Sequence, residues 1–453
     1  MMLHAICSTL LLCGRPVSPP DTTTAFVDVT VIPMDRERVL PHTTVVVRGD
    51  RIVSVGPVAD VQIPAGAIRV SGRGKFLLPG LAEMHAHIPG GQVPDSVVER
   101  TLFLYVAGGV TTIRGMLGDP RHLELRARAA KGELISPTIY TSGPSLNGNS
   151  VPTPQSALQL VMEQKQAGYD FLKIHPGIKR DVFDTLAAAA MRAGIRLAGH
   201  VPLEVGLQRA LDVRYASIDH LDGYIEAMVR PDAPVKPTDS ELFGFNLGEH
   251  LDQAGLATLV KATRQAGVWN VPTQTLLENL SPSLSVDALA RRPEMRFVPA
   301  ATLSQWAAEK ASILQETGSS RESVRRTMEL RRRLIKALHA GGSGLLLGSD
   351  APQIYNVPGF SVHRELESMV AAGLTPYQAL ETGTRNVAAF FGSSGETGTI
   401  AAGKRADFAL LNANPLADIR NTSRLAGVML RGRWLARRDI DTRLDAIAKA
   451  AGN

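Results

Sequence analysis

The chain has 453 residues, 44% of them hydrophobic, which is enough for a large core and for more than one domain. Its net charge of +6 comes from 49 basic residues scattered among 43 acidic ones, without a nucleic-acid motif, so the charge reads mainly as a solvated surface and no nucleic-acid partner is expected. The only cysteines are Cys7 and Cys13, which excludes an internal disulfide and a thiolate metal site from the body; any metal must use His, carboxylate or a modified side chain.

Residues 1–24 carry a short apolar run without the basic residues that precede one in a secretory signal, and Leu12 fits poorly before a lipoprotein cysteine. The run is too short to span a membrane. The reading is a weak signal-like segment, compatible with a cytoplasmic or an exported protein, with no integral membrane segment and with room for a homo-oligomer. From Ala25 to about Val70, "AFVDVTVIPM", "TTVVVRGDRIVSVG" and "AIRV" alternate apolar and polar residues as strands do, with a hairpin turn at Arg48 to Arg51. "GTIAAGKRADFALLN" and "LAGVMLRGRWLA" repeat that texture near the C-terminus. The pattern predicts one small β-sandwich domain assembled from 25–80 and 391–453.

Between them, over 81–390, short apolar strands alternate with Ala-rich and Leu-rich helical stretches, the pattern of β/α units around a parallel sheet. Eight candidate strands end near His87, Arg114, Ser142, His175, His200, His220, Pro272 and Asp350. Eight units predict an α/β fold, a (β/α)8 barrel of the TIM type. The interval 276–336 is too long for a simple connection and carries helical patterns, so it predicts an inserted helical lid or cap over one face. Within it, Arg325 to Lys336 ("RRTMELRRRLIK") is the densest basic patch and reads as a solvated helix face.

The residues able to do chemistry fall at the strand C-termini, where such barrels build active sites. "FLLPGLAEMHAHIPG" places His85 and His87 two apart on a strand, so both imidazoles face one side and can reach one ion. Lys173 lies in the apolar strand "FLKI", where an unpaired cation is costly, so it should be neutral, paired or modified. His200 in "RLAGHVP", His220 in "ASIDHLDGY" and Asp350 in "GLLLGSDAP" complete the set. Around it, His175 is a candidate substrate contact, Tyr224 a candidate donor to a developing oxyanion, and Arg114 a candidate holder of a substrate carboxylate. His363 is read as ordering the loop after strand eight.

With these residues, the chain resembles the amidohydrolase superfamily over nearly its whole length, from the first β unit to the closing "GTIAAGKRADFALL". "GVTTIR" and "HRELESMVAAGLTPYQALETGTRNVAAFFG" make it most similar to the branch of metal-dependent Xaa-Pro dipeptidases and imidazolonepropionase-like proteins. The resemblance implies two divalent metal ions, zinc first among them. His85, His87 and Asp350 would hold one, His200 and His220 the other, with a carboxylated Lys173 bridging. Water acidified by the metals would attack an acyl carbon, and Asp350 would take its proton and pass it to the leaving group. Two departures bear on substrate identity. Asn147 and Asn149 stand in "SGPSLNGNS", where many relatives have a histidine, and Gly115 follows the strand-two arginine, where many have Asp.

The expected activity is metal-dependent hydrolysis of an amide-type carbon–nitrogen bond in a dipeptide or N-acyl amino acid. Two alternatives stand beside it: a mononuclear imidazolonepropionase-like cyclic amidohydrolase or deaminase with Lys173 unmodified, and a non-catalytic amidohydrolase-like scaffold. Relatives of the scaffold kind usually lose metal ligands, and every expected one is present here.

Overall fold

The computed structural model describes residues 22–316 and 318–452, so most of the signal-like segment lies outside the described residues. The first strands are β1 (Thr23–Val31), β2 (Leu40–Arg48), β3 (Arg51–Pro57), β4 (Ile68–Ser71) and β5 (Phe76–Pro79). β1 pairs antiparallel with β2 and parallel with β4 and β5, while β2 and β3 form the expected hairpin across Gly49 and Asp50. Gly49 turns there at φ 57, a conformation that glycine adopts without steric cost.

Next come the parallel strands, short and almost wholly buried. β6 (Leu81–Ala86), β7 (Val110–Gly115) and β8 (Thr138–Thr141) make one sheet; β9 (Phe171–Ile174), β10 (Arg196–Gly199), β11 (Ser217–Asp219) and β12 (Trp269–Val271) make another. A bridge from Ser142 to Phe171 links the two on one side. On the other side, extended chain at 345–351 bridges Leu345 to Asn270 and Ala351 to Ala86, and the Met84 amide donates to the Leu347 carbonyl at 2.8 Å. A helix follows each of the eight positions, from Asp95–Ala107 after β6 to Ser361–Ala371 after the eighth. The order is that of an α/β, TIM-like barrel carrying an extra β unit.

Local sequence sets the helix ends. Thr153 caps Pro154–Ala167 with a reciprocal bond to Ser156, and Gly168 closes that helix at φ 88. Arg321–Ala340 opens on Ser320, whose hydroxyl accepts the Ser323 amide. The stretch 276–336 is largely helical, and its last helix, Arg321–Ala340, leads into the extended chain of the eighth position. The solvated-face reading of its basic patch needs correction: Arg325 and Arg326 are exposed, but Arg331 is 1% exposed. The same helical period that turns some arginines to water turns this one inward.

The last strands, β13 (Phe408–Leu411), β14 (Leu425–Leu430) and β15 (Arg433–Ala436), return to the first sheet, where β13 pairs with β5. Both ends of the chain therefore share one eight-stranded sheet. Phe26 packs edge-on against Phe408 at 5.8 Å and Trp434 at 5.1 Å in its core. Inside the barrel, Ala82, Phe171, Ala216 and Val271 meet Val387 and Phe390 of the helix Arg385–Phe390. Most of these residues stand near the starts of the strands, so that end is an apolar plug and the polar side chains collect at the other. Among the described residues no helix is long and apolar enough to cross a membrane.

His363 ties three parts of this frame together. Its Nδ1 lies 3.0 Å from the Thr422 hydroxyl and its Nε2 3.0 Å from the Gly108 carbonyl. Burial holds its pKa down to about 4, whereas an unfolded histidine titrates near ~6.5. Between those values the unfolded chain takes up a proton that the native ring refuses, so stability present above the window is lost as the pH falls through it. Urea unfolding of the wild type and His363→Gln should show the wild type losing roughly 2 kcal/mol more than the variant between about pH 7 and about pH 5. Equal pH dependence in the two proteins would contradict this.

Candidate functional site

β6 (LAEMHA) is buried along its whole length, yet its pairing with β7 slips between Glu83 and Ala86, so strict alternation does not describe it. His85 and His87 nevertheless converge. His87 Nε2 lies 2.6 Å from Asp350 Oδ1 and His85 Nε2 3.6 Å from the same oxygen. Asp350 reaches them because the eighth position crosses close to β6 at Gly348. A Cβ there would sit 2.9 Å from the His85 amide nitrogen and 2.5 Å from Val271 Cγ1. Glu83 holds the crossing: its carboxyl accepts from the Ser349 amide at 2.7 Å, the Ser349 hydroxyl at 2.5 Å and the His85 amide at 3.2 Å. Burial pushes the Glu83 pKa up to about 8.

Lys173, fully buried on β9, comes within 3.4 Å of His85 Nε2 and 3.3 Å of Asp219 Oδ2. Burial drives its pKa below the ordinary lysine value. Asp219, the last residue of β11, is the hub. Arg114 donates to one of its oxygens at 3.1 Å, while the other lies 3.1 Å from His85 Nδ1. Burial alone would raise the Asp219 pKa, but Arg114 and Lys173 reverse that and hold it well below the usual carboxylate range.

After Asp219 the chain turns sharply through two left-handed residues, His220 (φ 61) and Leu221 (φ 57). That turn aims the His220 ring back over the strands, with its centroid 4.5 Å from the His200 ring and 4.6 Å from the His85 ring. His220 Nδ1 meets the Thr273 hydroxyl at 2.8 Å, and His200 Nδ1 meets Asp222 Oδ2 at 2.7 Å. Two imidazoles are thus anchored at Nδ1, His200 by a carboxylate and His220 by a hydroxyl, while His85 Nδ1 lies near Asp219 without a hydrogen bond. By hydrogen-bond assignment this leaves the Nε2 lone pairs of His200 and His220 free to bind an electrophile. The donor set fits a divalent metal: ligand atoms of His85, His87 and Asp350 lie within 4.8 Å of one another. His200 and His220 stand alongside with Lys173 close to His85.

Two expected residues do not join the site. Arg114 was read as a holder of substrate at the barrel mouth, but it is fully buried, donating to the Met84 carbonyl, the Ser217 hydroxyl and Asp219 at 2.7, 2.8 and 3.1 Å. Its guanidinium also lies over Phe171 and Phe390, walled in at the apolar end of the barrel rather than open to a ligand. Tyr224, read as an oxyanion donor, is fully buried too, and its hydroxyl meets Thr263 on the helix Leu256–Ala266 at 2.8 Å. The left-handed turn at His220 and Leu221 carries the following chain away, and Tyr224 becomes a packing residue.

His175 does stand at the rim, half-buried, with its ring 5.0 Å from that of His200 and its Nδ1 2.8 Å from the Ser145 hydroxyl. Burial, then the neighbouring Lys173 and His200, press its pKa down to about 2, so the ring is neutral. Asn147 donates to Ser145 at 3.0 Å and accepts the Asn149 and Ser150 amides, so it shapes the loop after β8. Sequence reasoning passed over Glu83, Asp219, Asp222 and Thr273. The signal for the first lay in "AEMHAH", where Glu83 precedes His85 by two; for the next two it lay in "SIDHLD", whose acids flank His220. Nothing local marked Thr273. Phe243, whose ring centroid is 5.3 Å from that of His220, was equally silent.

A profile described as the amidohydrolase family matches residues 76–435. An imidazolonepropionase from Rubrobacter xylanophilus is 26% identical over 408 residues, 82% of this chain and 84% of that protein. Among solved structures, a bottromycin amidohydrolase superposes with a TM-score of 0.70 at 24% identity, covering 95% of this chain and 91% of its own. A Xaa-Pro dipeptidase with methionine bound in its active site gives 0.67 at 19% identity, covering 92% and 100%.

Gly199 is the position on which the Lys173 side chain depends sterically. Its φ is 121, and an added Cβ would lie 2.5 Å from the Ile174 carbonyl oxygen and 2.8 Å from Lys173 Cδ. Gly199→Ala should cost roughly 1–3 kcal/mol through backbone strain, with displacement of the lysine added to it. A urea midpoint unchanged from the wild type would contradict this.

Proposed function

The chain belongs to the amidohydrolase family, hydrolases of carbon–nitrogen bonds, and on that premise we propose that it cleaves the amide bond of a dipeptide or N-acyl amino acid. The observation that carries the proposal is the convergence of four histidines, one buried lysine and one aspartate at strand ends. The Xaa-Pro dipeptidase among the structural neighbours supports the substrate class.

In this reading His85, His87 and Asp350 hold one divalent ion, zinc first among candidates, and His200 and His220 hold a second. Lys173, carboxylated on Nζ by carbon dioxide with loss of a proton, would be the ligand common to both. The bound ions supply Lewis acidity, polarising the acyl oxygen and acidifying water. Asp350 accepts the proton of the attacking water and returns it to the leaving nitrogen. Burial alone would raise the Asp350 pKa, but His85, His87 and His220 lower it, so the group is an ionised carboxylate. His175, neutral at the rim, contacts the substrate. We further read the linked parallel strands as a closed (β/α)8 barrel over 81–390, with 276–336 as its lid and with 25–80 and 391–453 as a composite β-sandwich domain. The bridges at Ser142, Leu345 and Ala351 support the closure.

A second reading has one observation in its favour. His85, His87 and Asp350 alone form the compact three-donor group among the described residues, which suits a single ion with Lys173 unmodified. That is the mononuclear, imidazolonepropionase-like alternative, and the Rubrobacter xylanophilus relative is an imidazolonepropionase.

Elemental analysis of protein expressed with bicarbonate and divalent metal separates the two: about two ions per chain for the bridged site, about one for the mononuclear one. Against a panel of dipeptides and N-acyl amino acids, chelation should abolish turnover, and zinc, manganese or cobalt should restore it. Lys173→Ala should lower kcat/KM by at least about 10 to 100-fold, since even groups behind the ligands cost that much. Asp350→Asn should reduce kcat by at least roughly 100-fold. Near-normal turnover by Lys173→Ala would defeat the bridged site.

A further inference from the structure

Arg331 lies far from the site in sequence and has no free hydrogen-bonding face. It projects from the helix Arg321–Ala340, is 1% exposed, and donates in three directions: from Nη1 to the His220 carbonyl at 2.5 Å, from Nη2 to the Pro272 carbonyl at 2.9 Å and from Nε to Gln274 Oε1 at 3.0 Å. Gln274 is fixed from its other side, because the buried Glu365 carboxylate accepts the Gln274 and Thr275 amides at 2.9 and 2.7 Å.

The three acceptors bracket the two residues that aim His220. His220 (φ 61) and Thr273 (φ 47) both have left-handed backbones, which non-glycine residues keep only where their surroundings over-determine them. The His220 amide donates to the Val271 carbonyl at 2.8 Å, and its Nδ1 meets Thr273. Arg331 closes the circuit by gripping the carbonyl of His220 and that of the residue before Thr273. A planar fork with several fixed donors can serve three acceptors at once; a lysine ammonium on a flexible stem cannot hold that geometry.

The same helix also restrains what stands over His220. Its Ser323 and Thr327 hydroxyls donate to the Phe245 and Gly244 carbonyls at 2.7 and 3.1 Å. These contacts clamp the segment that places Phe243 against the His220 ring. The helix thus restrains His220 through its backbone and through its aromatic neighbour.

We infer that Arg331 is a positioning residue for the His200–His220 half of the site, holding His220 in the backbone conformation that directs its imidazole toward His200 and His85. The inference rests on the two-ion reading, in which that half carries its own metal. His85 meets Glu83 and Asp219 instead, His87 meets Asp350, and Glu83 holds the adjoining Ser349; Arg331 touches none of these.

The test is zinc affinity, measured by competition with a chromophoric chelator on wild type, Arg331→Met, Arg331→Lys and Leu334→Ala. Leu334 is a fully buried residue of the same helix and serves as the control for general loosening. Arg331→Met should weaken one of the two ions by at least about 10-fold and leave the other within about 2-fold, with Arg331→Lys between it and the wild type. Leu334→Ala should show no such selectivity. If Arg331→Met does not fold, Arg331→Lys decides by the same criterion. Two wild-type affinities in the folded Arg331 variants would overturn the inference, as would equal selectivity in Leu334→Ala. A wild-type chain holding a single ion is a different result, which removes the two-ion reading itself.

Discussion

The site depends on one buried carboxylate set between two basic side chains. Lys173 and Arg114 both enter the barrel interior, where an unpaired charge costs several kcal/mol after relaxation. Asp219 stands between them, ionised because they flank it, and it binds Arg114 through one oxygen while facing Lys173 and His85 with the other. Compensation of charge and orientation of a histidine are therefore one arrangement. Without Asp219, Lys173 would lose a hydrogen-bond acceptor at 3.3 Å and His85 its carboxylate neighbour at 3.1 Å.

The strand ends above this hub are strained, and the strain has a spatial logic. His220, Thr273 and Asp350 all have left-handed backbones, and each begins a loop whose side chains turn back over the barrel. Such conformations persist where neighbouring structure holds them. Here the holders come from distant chain: Val271 and Arg331 for His220, and Glu83 for the Ser349–Asp350 turn through Ser349. The opposite end of the barrel is filled by Phe171, Phe390 and their apolar neighbours. Polar chemistry at one end and apolar packing at the other follow from which strand residues lie near the start and which near the finish.

Much of this was legible from the residues. Short apolar strands with helical intervals located seven parallel strands: the expected endings at His87, Ser142, His175, His200, His220 and Pro272 fall one residue past the observed ones and Arg114 one residue before its own, while the chain leading to Asp350 is extended and bridged but forms no regular strand. Alternation in both terminal segments showed strands at each end, and these pair in one sheet because β13 reaches β5. The readings that failed share a cause. Arg114 and Tyr224 have side chains that could serve a substrate, and only their neighbours reveal otherwise: Asp219 and Ser217 claim the first, Thr263 the second. Arg331 sat in a run of basic residues that helical period divides between water and core.

The sequence by itself determined which residue types stand at the strand ends, because strand and helix periods are local and a polar residue ending an apolar run is visible without a fold. It also determined that any metal chemistry here excludes thiolate. Tertiary structure alone decided which nitrogen of His200 and of His220 is anchored, which carboxylate faces Lys173, and that Arg331 reaches the carbonyl of His220. Those outcomes depend on contacts between segments far apart in the chain, and their energies come from burial and partner geometry, which no local pattern encodes.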